Sequence, residues 1–462
     1  MSSTASDLGV VAADWRIERL GDLFSRIANG TSAKQSREGT GYPVTRIETI
    51  SSGVIDPARV GYVDVPLEDL ERFRLLSGDL LFSHINSIKH IGKIALVKDS
   101  SPPLYHGMNL LLLRPRRDLI HPSFAYYLLT SPPAKSLFES RAKPAINQAS
   151  INQKQLQSIA LPLPPYPEQK KIAAVLSSVD KVIEATQAVI EQTQRMKQGL
   201  MEELLTRGIG HTEFQETEIG RIPASWRVAT LGTVADVAYG LTVNSKRRTG
   251  AGRAPYLRVA NVHRGRLDLR EVKDIGLLPG DAGKYRLEPG DVLCVEGHAN
   301  PAELGRCALW RGELPNCLHQ NHLLRARPHA VRSHFLCAYL NAMPGRSYFG
   351  LHCKTSSGLN TLNSRVFGGC PVAVPPEREQ QQIEAILGAL DAQEEGAARH
   401  LQQLLTLKRG LMQDLLTGRR RVPLSAVEVA AAEAEAAEAA RQVEVPAARA
   451  KGKRGRKKRA QV

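Results

Sequence analysis

Metal-dependent phosphodiester chemistry needs clustered carboxylates to hold a divalent cation. The best pair in this chain is Asp291 and Glu296, on one predicted strand. The matching stretch earlier in the chain carries Asp79 and His84, and Glu296 runs into Gly297-His298 with no nearby lysine. The Gly-Asp pair therefore reads better as a turn cap before a buried strand. His84 reads as a hydrogen-bonded strand histidine. A zinc site would draw on Cys317, His319, His322, His352 and Cys353, but the six cysteines form no CxxC pair. Reduced thiols in an apolar core are the simpler reading. No GxxxxGK[ST] loop, HExxH pair or GxSxG elbow occurs. An amino-methyltransferase would show Asn or Asp before a Pro-Pro-aromatic run, whereas Leu163 and Val374 precede the Pro pairs here. The expectation is a chain with no catalytic residues and no metal of its own.

The elements around these residues occur twice. Trp15-Arg16 and Leu20-Gly21 recur as Trp226-Arg227 and Leu231-Gly232. Arg46–Asp56 recurs loosely as Arg258–Asp268, Gly78-Asp79 as Gly290-Asp291, Gly92-Lys93-Ile94-Ala95 as Gly305-Arg306-Cys307-Ala308, and Asn109 as Asn321. The match then tightens. Pro164-Pro165 and Glu168-Gln169 recur as Pro375-Pro376 and Glu379-Gln380, and Lys197-Gln198-Gly199-Leu200-Met201 as Lys408-Arg409-Gly410-Leu411-Met412. Each half thus has a variable first part and a well-matched last part. The variable parts hold short apolar runs broken by Gly, Pro and Asn, such as Asp79–His84 and Lys93–Val97, and predict strands and turns with a few helices.

The matched parts predict long helices opening after the Pro pairs. Ile172, Leu176, Val179, Ile183, Thr186, Ile190 and Thr193 make a heptad seam, and Ile383, Leu387, Leu390, Glu394, Ala397, Leu401 and Leu404 repeat it. Such a seam favours a left-handed coiled coil. Pairing of the two helices, antiparallel about a pseudo-twofold, is preferred over each helix packing on its own head. Glu394 interrupts the seam, either to set register or partner contact or as a solvated edge. The fold expected is α+β: two mixed α/β domains joined by two long antiparallel coiled-coil helices in a pseudo-twofold internal repeat. The boundaries are 14–163 for the first domain, 164–207 for its helix, 208–221 for a linker, 222–374 for the second domain, 375–418 for its helix, and 419–462 for a disordered Ala/Glu-rich and basic tail, with a marginal helix over Ala426–Ala440 as the alternative for its first part.

Formal net charge is +16 from 62 basic and 46 acidic residues, which suits a polyanionic partner. Half of that excess lies in Arg441–Val462, with nine basic residues and one acid. The run Lys451–Arg459 has no apolar face; non-specific phosphate binding and a solubilising extension both fit it. No run approaches a membrane span, and the first residues lack a signal-peptide pattern, so the expected location is the cytoplasm.

Over residues 14 to 418 the pattern resembles the specificity subunit of type I restriction–modification systems. The doubled block of Pro-Pro, Glu-Gln, Lys-x-Gly-Leu-Met and Leu-Leu-Thr carries the resemblance, with the opening Trp and Leu-Gly and the Gly-Asp-[LV]-Leu strand. It implies two target-recognition domains, each reading one half of a split double-stranded DNA site, and helices that set the spacing and dock partners. It further implies two methyltransferase subunits that bind S-adenosylmethionine and methylate adenine, and motor–nuclease subunits that use ATP and Mg, together serving DNA methylation and phage defence. No cofactor is implied for this chain itself. Nothing carries over to the tail.

Base-edge reading needs Arg, Lys, Asn, Gln, Ser, Thr or His projecting from loops. In the first head the candidates are Asn29, Thr31, Ser32, Lys34, Gln35, Lys89, His90, Lys143, Asn147, Gln148 and Asn152. In the second they are Thr242, Asn244, Ser245, Lys246, Arg247, Arg248, Asn261, His263, Arg264, His319, Gln320, Asn321, Lys354, Ser356, Ser357 and Asn360. For each, an ordinary surface loop or helix cap is the competing role. Arg46 and Arg258, at matched places on predicted strands, fit phosphate contact or structural ion pairs equally. Two other functions stay open: a stand-alone DNA-modifying enzyme, and a coiled-coil adaptor binding nucleic acid through its basic tail.

Overall fold

The computed structural model describes residues 3–98, 103–146, 148–248, 252–356 and 358–444. The chain divides into two compact units, Met1–Ala185 with Leu401–Val462, and Thr186–His400. Both mix strands and helices, and the second repeats the first.

The first unit is built on an antiparallel four-stranded sheet in the order Phe24–Asn29, Leu111–Pro115, Leu80–Phe82, Ile94–Leu96. Its central strands read as unbroken apolar runs because both faces are covered. Leu80, Phe82, Leu111 and Leu113 point to a core shared with Phe124, Leu128 and Phe138 of helices Pro122–Thr130 and Pro132–Arg141. Leu81 and Leu112 point the other way, to Ile50, Leu75 and Ala95. The second unit repeats the sheet as Ala235–Tyr239, Leu323–Pro328, Val292–Val295, Cys307–Leu309. Val292 and Cys294 face Phe335, Leu336 and Phe349. Leu293 and Val295 face Leu257 and Trp310.

The repeated motifs hold equivalent places. Gly92 and Gly305 have φ of +75° and +65°. A Cβ on Gly92 would lie 2.6 Å from the Phe138 ring, and one on Gly305 would run into Phe349. Asp79 accepts the Leu76 backbone N–H at 2.8 Å and two bonds from Arg114 at 2.8 and 2.7 Å. Asp291 does the same with the Glu288 N–H at 2.8 Å and Arg327 at 2.8 and 2.9 Å. The Gly-Asp pair thus caps the turn before a buried strand and adds an ion pair to it. Arg46 and Arg258 lie just before short 3-10 turns, not on strands, and pair with Glu48 and Glu271.

The Glu-Gln pair fastens each long helix to its head. The first runs Tyr166–Thr206 and the second Glu377–Leu415. Gln169 accepts from the His121 N–H and donates to the Leu119 and Pro164 carbonyls. Gln380 accepts from the Arg332 N–H and donates to the Pro375 carbonyl. Glu168 takes both Nε and Nη2 of Arg421. Glu379 instead takes the Trp226 indole N–H at 2.9 Å, the Ile209 N–H and His211. In the first unit the Trp15 indole N–H is left buried without a partner.

Along the seam, Ile172, Leu176, Ile183, Ile383, Leu387 and Leu390 are buried, and Val179, Ile190, Leu401 and Leu404 are partly covered. In the first unit Asp180 pairs with Lys408 at 2.6 Å, Glu168 with Arg421, and Ile172 and Leu176 share a core with Met412, Leu415 and Leu416. In the second, Lys197 pairs with Asp391, Gln194 donates to Glu394 at 2.7 Å, and Leu204 and Leu205 share a core with Ile383 and Leu387. Advancing along one segment retreats along the other, so within each unit the two helical segments run antiparallel. Burial works against the Asp391 carboxylate, but His334 and Lys197 outweigh it and hold its pKa below the ordinary value.

Two boundaries differ from the sequence-based expectation. Residues 208–221 are not a plain linker: Phe214–Thr217 and Gly220–Pro223 form a hairpin whose Ile222 is buried. The same hairpin, Ser3–Ser6 with Gly9–Ala12, precedes the first head. Nor is 419–444 disordered. Ala426–Glu444 is helical, opened by Ser425 and Glu428 bonding each other's backbone N–H. The segment lacks apolar residues for its own core, yet its small side chains let it lie on the unit, burying Ala432. Glu428 and Glu435 pair with Lys171 and Lys170. The basic run 451–459 lies outside the described residues. Among those described, no helix is long and apolar enough to cross a membrane.

Candidate nucleic-acid interface

In each head a small sheet extends from the end of the central strand. In the first it comprises Lys143–Ala145, Gln148–Ser150 and Ile85–Asn86. In the second it comprises Lys354–Ser356, Leu359–Thr361 and Gly297–His298. This sheet brings the Lys89-His90 loop together with the Lys143–Asn152 hairpin. The Asn29 side chain joins the third segment: it donates to the Met108 carbonyl at 2.8 Å, lies 3.3 Å from His84 Nε2, and accepts from Gln153 at 3.0 Å. The chain turns at Gly30 because only a glycine fits against the His106 carbonyl. Gly240 abuts the His319 and Gln320 carbonyls in the same way, so residues 242–248 and 320–321 are neighbours.

Ser32, Lys34, Lys89, His90, Lys143 and Gln148 are exposed, and Gln35 is half-buried. So are Thr242, Asn244, Ser245, Lys246 and Lys354 in the second head, with His263, Gln320 and Asn321 half-buried. Other candidates make hydrogen bonds or ion pairs within their own head. Thr31 is buried and its hydroxyl accepts from Ala33 N–H. Asn152 caps helix Gln153–Gln157. Arg247 is buried against Asp281 and the Thr242 carbonyl. Asn261 caps the Arg258 turn and donates to the Asp268 and Glu271 carbonyls. Arg264 is held by Asn341 and the Ala302 carbonyl. Asn360 donates to the His298 and Ala299 carbonyls. Asn147 and Ser357 lie outside the described residues, and Arg248 and Ser356 are described by backbone alone.

His319 is fully buried, its Nδ1 on the Tyr285 carbonyl, and burial lowers its pKa to about 4. His106, at the matched place, is likewise lowered to about 4 by burial. Neither is charged at neutral pH, so neither offers a cation to phosphate. His84 is also lowered by burial, and its Nδ1 has no partner, so it is only half satisfied.

Choosing polar residues alone missed part of this surface. Ile88, Ile146 and Leu359 are 46%, 93% and 43% exposed at the loop and hairpin tips. Apolar side chains there can meet thymine methyl groups. Their signal was an apolar residue beside a turn former, Ser87, Asn147 or Gly358. Among the described residues, no group of three His, Cys, Asp or Glu is placed to hold a metal.

A family model described as Type I restriction modification DNA specificity domain matches the chain twice, over residues 12–195 and 223–406. The protein named "Putative type I restriction enzyme MjaX specificity subunit" of Methanocaldococcus jannaschii is 34% identical over 428 residues, 90% of this chain and 96% of that protein. The StySPI specificity subunit of Salmonella potsdam is 24% identical over 391 residues, 83% of this chain and 82% of the relative. Among solved structures, the type I S subunit from M. genitalium aligns with a TM-score of 0.54 at 16% identity, over 91% of this chain and all of that one. That likeness concerns the fold. With the family model matching both heads and a relative 34% identical across 90% of the sequence, the chain belongs to the type I restriction–modification DNA specificity family.

Proposed function

We propose that this specificity subunit reads a split, asymmetric double-stranded DNA site, one half with each head, and has no catalytic role itself. Methyltransferase subunits carrying S-adenosylmethionine, and motor–nuclease subunits using ATP and Mg, act at the address it reads. The observation that carries this reading is the pair of heads with one framework and different tips. Gly-Asp, Glu-Gln and the sheet order repeat. The exposed side chains do not: Lys89 and His90 of one head answer to Ala302 and Glu303 in the other. Two different readers on one chain suit two different half-sites, and bivalency raises affinity through effective concentration. The long helices act as an antiparallel coiled-coil spacer and as the docking surface for the modification subunits.

The test is co-expression with the neighbouring methyltransferase gene in a methylation-free bacterial host, with single-molecule sequencing of modified adenines. A split motif that requires both genes is the expected result. Methylation of the same motif without this chain would refute the reading.

A further inference from the structure

The two heads differ in kind at one matched position. Where the central strand leaves the four-stranded sheet, the first head carries His84 and the second Glu296. Glu296 is fixed by its backbone: its N–H donates to the His322 carbonyl at 3.1 Å, and its carbonyl accepts from Leu362 N–H at 2.8 Å. Its carboxylate lies 3.1 Å from His322 Nδ1, with side-chain exposures of 23% and 58%. The pair opens on a cavity of about 410 Å³ whose lining includes His352, Lys354, Thr361 and Asn363. Glu296 is the one carboxylate among the described lining residues.

A carboxylate on a surface meant for phosphate repels it, and that cost is offset only where it meets a hydrogen-bond donor. DNA presents donors in the major groove as the exocyclic amines of cytosine and adenine, and carboxylates are the residues that accept from cytosine N4. We propose that Glu296 is a specificity-determining residue that accepts from the exocyclic amine of one base, cytosine N4 or adenine N6, in the half-site read by the second head. His322 holds the carboxylate in place, and the half-exposed ring and the cavity beside it leave room for the base edge. His84, at the equivalent position of the first head, is buried and offers an imidazole in place of a partly exposed carboxylate. The two half-sites therefore differ at the base pair facing this position.

This inference rests on the proposed function, and the experiment separates the two. The intact complex carrying wild-type chain, Glu296→Gln or Glu296→Ala is expressed as above, and modified adenines are mapped. Thermal unfolding and copurification of the methyltransferase check folding and assembly. Glu296→Ala is expected to lose roughly tenfold or more in discrimination at a single position of one half-site, with the other half-site unchanged. Glu296→Gln shifts the preference at that position towards adenine, because an amide bonds both adenine N6 and N7. The identity of that position in the wild-type motif tells cytosine from adenine. An unchanged motif at an unchanged methylation rate in the Glu296→Ala complex would overturn the proposal. So would equal relaxation of both half-sites in folded, assembled protein. Absence of any split motif with the wild-type chain would strike the proposed function instead.

Discussion

Asp79 and Asp291 have nearly inaccessible side chains, whereas their arginine partners are about a quarter exposed. Removing one partner of a buried pair leaves the other uncompensated. Partial exposure of the arginines reduces that cost. Asp291→Ala, which also removes the cap on the Glu288 N–H, is expected to destabilise the second unit by about 2–3 kcal/mol, read as a lowered denaturation midpoint with an unchanged m-value. His106 and His319 add a pH dependence. Their pKa values near 4 in the fold lie below the ordinary 6.5. Between those values the unfolded chain binds more protons, so stability rises with pH and is lost as pH falls from 6.5 towards 4. The loss from pH 7.5 to 5 is about 2 kcal/mol per histidine. His319→Gln should therefore shrink the difference between denaturation midpoints at the two pH values; an unaltered difference would show that His319 is not the source.

The long helices illustrate how repeated residues act between elements. Lys408 meets Asp180, which also accepts from the Tyr127 hydroxyl at 2.8 Å; Lys197 meets Asp391, which also meets His334. A double-mutant cycle on Asp180→Asn and Lys408→Met is expected to give a coupling of about 1 kcal/mol. Additive losses would mean that the pair contributes packing alone. Helix Ala426–Glu444 is held by the ion pairs of Glu428 and Glu435 and by the buried Ala432. Ala432→Asp places a charge at that contact, and should raise amide exchange across 426–444 while leaving the sheet of the first unit protected. Retained protection of 426–444 would contradict the role given to Ala432.

At the scale of the whole chain, address and tail are separable. A chain ending at Glu444 keeps every described element. It is expected to direct methylation to the same motif, with a shallower salt dependence of DNA binding if the basic run touches phosphate, by about 0.9 in log–log slope for each phosphate no longer neutralised. Loss of all DNA binding on this truncation would favour the adaptor reading over two DNA-reading heads.

The duplication, the long helices and the family were legible in the sequence because they depend on local and periodic signals: proline stops, a heptad seam and motifs recurring in order. Candidate DNA contacts were legible only as segments. Thr31, Arg247, Asn261 and Asn360 look like readers in sequence, since the same hydrogen-bonding groups serve a base edge or a buried carbonyl equally well. Which one they meet is decided by packing. The tertiary structure also decided that Ala426–Glu444 is a docked helix, through Lys170 and Lys171 distant in sequence. The carboxylate of Glu296 took on meaning only when the fold set it beside His322 and a cavity, because a contact across a sheet leaves no trace in residue spacing.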